Sequence, residues 1–148
     1  SHELDYAQWF FGSVVDVQAN LRNSGALDCD VEDTADLLLS TDLGTPIAVH
    51  LDFNRCAPTR VCVIQGTQGA LVWDAIAGLV RWSPRSGDPV VCSFPGGLDE
   101  AFLQQSRYFL ERAETGGPAV VSLEDATTTV EIILAAEESH DSGRRVTL

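Results

Sequence analysis

Hydrophobic and polar residues alternate with a period of two along much of residues 13–94. In the first run, Val15, Val17, Ala19 and Leu21 stand between polar side chains. Successive side chains of a β-strand point to opposite faces of a sheet, so this alternation indicates strands with one buried and one wetter face. Short glycine-containing connections between the later runs are typical of antiparallel hairpins. The pattern predicts about six strands, at residues 13–21, 35–39, 47–54, 61–65, 70–73 and 79–82.

Helical spacing appears at both ends of this region. Leu4 and Ala7 fall on one stripe of a helix that ends at Gly12, and a second helix is expected at residues 98–113. A third begins after Ser122, which can form a capping box with the residue three positions on. Gly143 ends this helix, and its apolar stripe is expected to be Leu123, Ala126, Val130, Ile133 and Leu134.

Strands in one run followed by helices in another predict an α+β fold. We expect a single domain over residues 1–148, with two to three helices packed on one face of an open, mostly antiparallel sheet. Apolar residues such as Leu38 also occur on the other face, which therefore needs cover of its own. A second copy of the chain or another domain would cover it; alternatively, the sheet curls and covers itself.

Composition narrows the possible functions. The net charge is −13, and all nine basic side chains are arginine. Such an acidic chain repels a phosphate backbone, which argues against nucleic-acid binding. The absence of lysine excludes a Schiff-base nucleophile or a P-loop lysine from this chain. No apolar run reaches the ~20 residues that span a bilayer, so no membrane partner is expected.

The chain has no methionine, and we expect it to be a fragment of a longer protein. Its first residues lack the features of a signal peptide. The four cysteines form no closely spaced pair, so we expect reduced thiols, mostly packed as small hydrophobic groups, in a cytoplasmic protein.

Two groups of residues are candidates for chemistry. His2 and Asp5 are three positions apart on a predicted helix, where a carboxylate can orient an imidazole for acid–base work. His50, Asp52 and Asn54 share one face of the third strand and offer the donors and acceptors that polyol hydroxyls require. Each group is also compatible with an ordinary solvated surface.

Metal binding has little support in the sequence. The acidic residues at 28–33 lack the central glycine and closing glutamate of a calcium-binding loop. A metal enzyme using His2 and His50 is a minor alternative, and we expect no metal cofactor.

Six segments in order resemble the C-terminal domain of the Gfo/Idh/MocA family of NAD(P)-dependent oxidoreductases. The first contains His2 and ends in Trp9-Phe10-Phe11-Gly12, similar to a family stretch in which a motif histidine opens a helix ending in Trp-Leu-x-Gly. The segments are Ser1–Gly12, Asp30–Ala35, His50–Phe53, Ile64–Leu71, Ser122–Ala126 and Gly143–Val146.

This resemblance implies the substrate-binding and oligomerisation half of a dehydrogenase that acts on a sugar, polyol or derivative. NAD or NADP would be bound mainly by an N-terminal Rossmann domain, with a catalytic lysine, that this chain lacks. His2 matches the family's motif histidine, and Asp5 matches an acidic residue that often follows it. His50, Asp52 and Asn54 become candidates for substrate contact, and the open sheet face becomes a candidate interface of a homo-oligomer.

The resemblance further implies that this chain alone is inactive. The competing hypothesis is a stand-alone, non-catalytic sheet module that dimerises or binds a small ligand. An upstream reading frame of ~120 residues with a GxGxxG motif would support the dehydrogenase.

Overall fold

The computed structural model describes residues 1–94 and 97–148, and these form three helices and eight strands. All three predicted helices and all six predicted strands are present, and the predicted α+β class is confirmed. The elements are α1 (His2–Phe11), β1 (Val14–Arg22), β2 (Thr34–Thr41), β3 (Pro46–Asp52), β4 (Val61–Gly66), β5 (Gly69–Asp74), β6 (Leu79–Pro84), β7 (Val90–Ser93), α2 (Gly97–Thr115), α3 (Leu123–Ser142) and β8 (Val146–Thr147).

The strands form two antiparallel four-stranded sheets, and not the single open sheet that the sequence predicts. The first sheet has the order β3-β2-β1-β8, and the second has the order β4-β5-β6-β7. The chain divides into two compact units, which are described separately: the first unit is Ser1–Arg55 with Ala119–Leu148, and the second is Cys56–Pro118. The expectation of a single domain stays a prediction.

The first unit has a closed hydrophobic core on one face of its sheet. Val17 of β1 pairs with Leu39 of β2, and both side chains are buried against Ile132 of α3. Leu4 of α1 belongs to the same cluster. Helices α1 and α3 therefore form one layer, which we call the helical layer, and the opposite side of the sheet is its exposed face.

The stripe predicted for α3 is largely wrong, since only Ile133 of its five residues packs against the core. Leu123, Val130 and Leu134 are exposed, whereas the buried residues are Thr129, Ile132, Ala135, Ala136 and Ser139. The buried stripe is rich in small side chains, which lets the helix approach β1 closely. The Oγ atom of Ser139 accepts the Ala19 N–H at 3.0 Å and donates to the Arg144 carbonyl at 2.6 Å. Hydrogen bonding at the edge of the sheet, and not hydrophobicity alone, sets the orientation of α3.

Both ends of α3 match the prediction. Ser122 Oγ accepts the Asp125 N–H at 3.1 Å, and Asp125 Oδ2 accepts the Ser122 N–H at 2.9 Å. Gly143 ends the helix in the left-handed conformation, with φ 66°. These are the capping box and C-terminal glycine that a helix needs for its unpaired backbone groups.

The second unit contains no buried side chain among its described residues. Its sheet is a regular meander in which Trp82 of β6 lies over Gly69 of β5. Gly69 has φ +156°, and a Cβ atom there would collide with the Ser83 carbonyl oxygen and lie 2.8 Å from the indole ring of Trp82. Phe102 and Phe109 of α2 are largely exposed.

The cysteines are free, as expected, but they are mostly not packed. Cys29, Cys56 and Cys92 are exposed, and only Cys62 is half-buried, where burial raises the pKa of its thiol. Three of the four thiols lie in loops or on a sheet edge, which offer no core to enter. Over the described residues, no helix is both long enough and apolar enough to cross a membrane.

Candidate functional site

His2 is the first residue of α1, in the helical layer of the first unit. Leu4 and Ala7 are buried, and Gln8 Nε2 donates to Thr129 Oγ1 of α3 at 3.2 Å. These contacts fix the helix one to two turns after His2, while the His2 side chain remains exposed. Asp5 follows one turn later on the same helix, as predicted. The arrangement presents an accessible imidazole from an anchored backbone.

His50 lies on the exposed face of the same sheet, in a cross-strand row with Asp36 and Asn20. Its Nδ1 atom is 2.6 Å from Asp36 Oδ1. A carboxylate at this distance accepts a hydrogen bond from the imidazole and fixes the orientation of the ring. The sequence shows that Asp36 alternates with leucines. It does not show the strand register that places Asp36 opposite His50.

A shallow concavity of about 290 Å³ covers this part of the exposed face. Leu38 and Ala48 form a second cross-strand row with Gln18, next to the row of His50. Amide, carboxylate and imidazole groups therefore surround a small apolar centre. Such a surface can accept either a hydroxylated small molecule or a flat protein surface.

The three residues predicted on β3 do not act as one group. Asp52 lies on the exposed face with His50, and its Oδ1 atom accepts the Asn54 N–H at 2.7 Å. The side chain of Asn54 donates from Nδ2 to Ser24 Oγ at 3.1 Å. Asn54 thus belongs to a loop network around Ser24, and not to the row of His50.

Asp33, one of the acidic residues at 28–33, forms the centre of that loop network. Its side chain is buried and accepts hydrogen bonds from the Ser24 hydroxyl, from the Ser24 N–H at 3.0 Å and from Thr34 Oγ1 at 3.0 Å. The hydrogen bond from the Ser24 hydroxyl contributes most to the pKa of Asp33, and a hydrogen bond from the Asn54 side chain contributes next. Together with the others, they hold this pKa well below its usual range. The cluster joins the β1–β2 connection to the end of β3.

The structure places the two groups of candidate residues on opposite sides of the first sheet. His2 and Asp5 belong to the helical layer, which packs on the face of Val17, Leu37 and Leu39. His50 and Asp36 alternate with the buried residues and project from the other face. A small ligand bound in the concavity is therefore separated by the sheet from His2 of the same chain.

The described strands do not form a Rossmann-type arrangement. A Rossmann fold holds pyrophosphate where a parallel strand turns into a helix, whereas both sheets here are antiparallel. The glycine pair Gly66 and Gly69 instead closes the hairpin between β4 and β5. Across residues 1–94 and 97–148, no cluster of three or more His, Cys, Asp or Glu side chains is arranged to hold a metal.

Comparison with known families gives a match over the whole chain. Residues 1–148 match the Gfo/Idh/MocA C-terminal model, described as the oxidoreductase family, C-terminal alpha/beta domain. No protein of curated function matches the sequence significantly.

Several solved structures share the fold. Levoglucosan dehydrogenase in complex with NADH and levoglucosan is 18% identical, with a TM-score of 0.87. Aldose-aldose oxidoreductase from Caulobacter crescentus, complexed with glycerol, is 21% identical with a TM-score of 0.81. An oxidoreductase from Agrobacterium radiobacter in complex with NAD+, L-tartaric acid and magnesium is 22% identical with a TM-score of 0.78.

These alignments cover 99% of this chain but only 45% to 48% of the other three. The chain thus spans about half the length of the structures it matches. At such identities the likeness shows a shared fold.

Proposed function

This chain belongs to the Gfo/Idh/MocA oxidoreductase family, whose C-terminal α/β domain it matches from end to end, and we propose that it is the substrate-binding and oligomerisation half of an NAD(P)-dependent dehydrogenase. The proposed substrate is a sugar, a polyol or a derivative of one. The observation that carries the proposal is the family match over residues 1–148. Levoglucosan and glycerol in the related structures support this substrate class.

His2 is the proposed catalytic residue. Oxidation of a secondary alcohol removes the hydroxyl proton and a hydride from the carbon. A nicotinamide cofactor, held by a domain outside this sequence, would supply the hydride chemistry. His2, together with the lysine expected in that domain, holds the substrate oxygen and accepts its proton. The anchoring of α1 through Leu4, Ala7 and Gln8 supports this role, because acid–base catalysis depends on a fixed position of the base.

Asp5, one helical turn from His2, is the proposed substrate-binding residue on this side. The exposed face has a different role. If His50 and Asp52 contact the substrate of His2, as the sequence predicts, they must do so from another protomer, because the sheet intervenes within one chain. Asn54, the third predicted contact, lies in the loop after β3. We therefore assign the exposed face to the oligomer contact.

The test is turnover of the longer protein with NAD or NADP and a panel of sugars and polyols. His2→Ala should lower turnover by roughly 10²- to 10⁴-fold, as expected for loss of a general base, while nucleotide affinity stays nearly unchanged. Asp28→Ala, in the exposed β1–β2 connection, is the control and should keep full turnover. Unchanged turnover of His2→Ala would remove His2 from the mechanism.

The same assay distinguishes the dehydrogenase proposal from the competing hypothesis of a stand-alone sheet module. Residues 1–148 alone should show neither cofactor-dependent turnover nor nucleotide binding. If the native reading frame lacks a cofactor domain, the chain is a non-catalytic sheet module and the dehydrogenase proposal is wrong.

A further inference from the structure

We propose that Thr129 of α3 is a positioning residue for the proposed catalytic residue His2, and that it acts through its hydrogen bond with Gln8 of α1. The inference rests on the proposed function and deepens it, because it names the residue that fixes the direction of the His2 imidazole. It is carried by the hydrogen bond from Gln8 Nε2 to Thr129 Oγ1, which is 3.2 Å long and joins the two helices of the helical layer.

Thr129 is a polar residue within the buried stripe of α3, with 5% of its surface exposed. A buried hydroxyl is costly unless it is hydrogen-bonded, and this one is bonded twice. Its Oγ1 atom donates to the Asp125 carbonyl at 3.2 Å and accepts from the Gln8 amide. A hydroxyl has one proton to donate and two lone pairs with which to accept. Because the proton is directed to Asp125, the lone pairs are left for Gln8, and the direction of the contact between the helices is fixed.

Three consecutive threonines of α3 separate this contact from local bonding. The hydroxyls of Thr127, Thr128 and Thr129 each donate to the backbone carbonyl four residues earlier, at 2.8 Å, 3.1 Å and 3.2 Å. Such bonding to the backbone of the same helix does not involve α1. Thr129 in addition accepts a hydrogen bond from another helix. The contact with α1 is therefore what distinguishes it from its neighbours.

The apolar contacts of α1 hold the helix against the core but do not fix its rotation. Leu4 and Ala7 are buried, and hydrophobic burial is non-directional. The buried stripe of α3 is rich in small side chains, which leave room for α1 to turn about its axis. A hydrogen bond, in contrast, weakens steeply when its geometry is lost. The bond from Gln8 to Thr129 therefore sets the rotation of α1.

The rotation of α1 decides where the His2 imidazole lies. A side chain on a helix reaches about 6 Å from the helix axis, so a rotation of about 10° moves it by about 1 Å. A misplacement of about 1 Å can lower the rate of a catalysed reaction on the order of 10²-fold. His2 is the first residue of α1, and its side chain is exposed. Its direction therefore depends on contacts that lie further along the helix.

The experiment measures steady-state turnover of the longer protein, with its cofactor domain, on a sugar or polyol. Thr129→Val keeps the shape of the side chain and removes the hydroxyl, and kcat should fall by roughly 10- to 100-fold. KM and nucleotide affinity should stay within about twofold, because no group that binds substrate or cofactor is removed. Thr129→Ser keeps the hydroxyl and should restore most of kcat. Thr127→Val, at an exposed position of the same helix, is the matched control and should keep the wild-type kcat.

Gln8→Leu breaks the same hydrogen bond from the other helix and leaves α3 unchanged. It should lower kcat as much as Thr129→Val does. The double variant should be no slower than either single variant, because both changes remove one interaction. If Thr129→Val does not fold, Gln8→Leu alone gives the result. A wild-type kcat in Gln8→Leu would overturn the inference.

A His2→Ala background separates positioning from a general loss of structure. When the imidazole is absent its direction no longer matters, so Thr129→Val should cause no further loss of turnover. An equal loss in both backgrounds would show that Thr129 supports the fold and does not act through His2. If His2→Ala itself keeps wild-type turnover, the catalytic role of His2 and this inference are both wrong. If His2→Ala is slow but Thr129→Val is not, only the positioning role is wrong.

Discussion

Both units of the chain contain a four-stranded antiparallel sheet, but only the sheet of the first unit has a buried core among the described residues. In the first unit, α1 and α3 cover one face and bury Val17 and Leu39 almost completely. In the second unit, Leu71 and Trp82 pair across β5 and β6 and are only half-buried. Ladder hydrogen bonds and cross-strand pairs hold the second sheet; in the first sheet, hydrophobic burial adds to them.

The comparison shows that similar hydrophobic patterns can have different energetic roles. A strand pattern indicates which side chains share a face, but burial depends on what covers that face. The first unit should therefore contain most of the stability, and the second should open at lower cost. Predictions that change one unit at a time test this difference.

The largest effect is expected in the core of the first unit. Ile132→Ala should lower the free energy of unfolding of this unit by about 2–5 kcal/mol, because Ile132 is fully buried against β1 and β2. Ile64→Ala in β4 removes the same atoms from a half-buried site and should cost much less. Amide hydrogen exchange, followed segment by segment, measures both. Equal losses would show that the second unit has a core of comparable strength.

A smaller effect is expected from the backbone of the second unit. Gly69→Ala should destabilise this sheet by roughly 1–3 kcal/mol, because at this positive φ the new methyl group collides with the backbone carbonyl of Ser83 and also meets Pro84 and the Trp82 ring. Gly66→Ala, directly opposite in the same hairpin, adds a methyl group that makes only an ordinary contact at 3.6 Å. Faster exchange in β4–β6 for Gly69→Ala, but not for Gly66→Ala, is the expected result. No difference between the two variants would show that the backbone of β5 and β6 adjusts to the methyl group without cost.

Much of the fold was predictable, because local signals carry it. The six long strands follow from alternation, and α3 begins and ends where Ser122 and Gly143 predict. Two short strands were missed: Val90 and Val91 of β7 show no alternation, and β8 has only two residues. The division into two sheets was also missed, because alternation does not state which strands pair.

The candidate site was less predictable, because it depends on register and layer. Sequence spacing correctly put His2 and Asp5 on one helix and His50 on the wetter face of β3. It did not show that the sheet separates them, nor that Asp36 pairs with His50. It also grouped Asn54 with His50, although the side chain of Asn54 turns to Ser24. These facts depend on contacts between residues distant in sequence, for which a single chain offers no local signal.

The capping box of α3 gives a test with a moderate expected loss of stability, and a serine within α2 is the matched control. Ser122→Ala removes the capping box of α3 and should cost the first unit about 1 kcal/mol. Ser106→Ala in α2 removes a hydroxyl that donates only to the Phe102 carbonyl at 2.9 Å, and should leave the stability nearly unchanged. Thermal unfolding combined with segment-resolved exchange distinguishes the two. If the loss of stability caused by Ser122→Ala were confined to α2 and the rest of the second unit, this would contradict the location of most of the stability in the first unit.

The effect that depends most on pH, and is most specific to the first unit, is expected from Asp33. Hydrogen bonds from Ser24 and Thr34 lower the folded-state pKa of this carboxyl below its unfolded value. A depressed carboxyl pKa stabilises the fold fully above the unfolded pKa of ~3.9, and that stabilisation is lost as the pH falls below this value towards the lower folded-state pKa. As the pH falls below about 4, β1–β3 should therefore lose protection against exchange, and Asp33→Asn should show a weaker dependence on pH. Asp74→Asn, at the end of β5, should not alter the acid response of the first unit. If β1–β3 of Asp33→Asn lost protection in acid with the same pH dependence as in the wild-type chain, the loop network of Asp33 would not be what couples the first unit to pH.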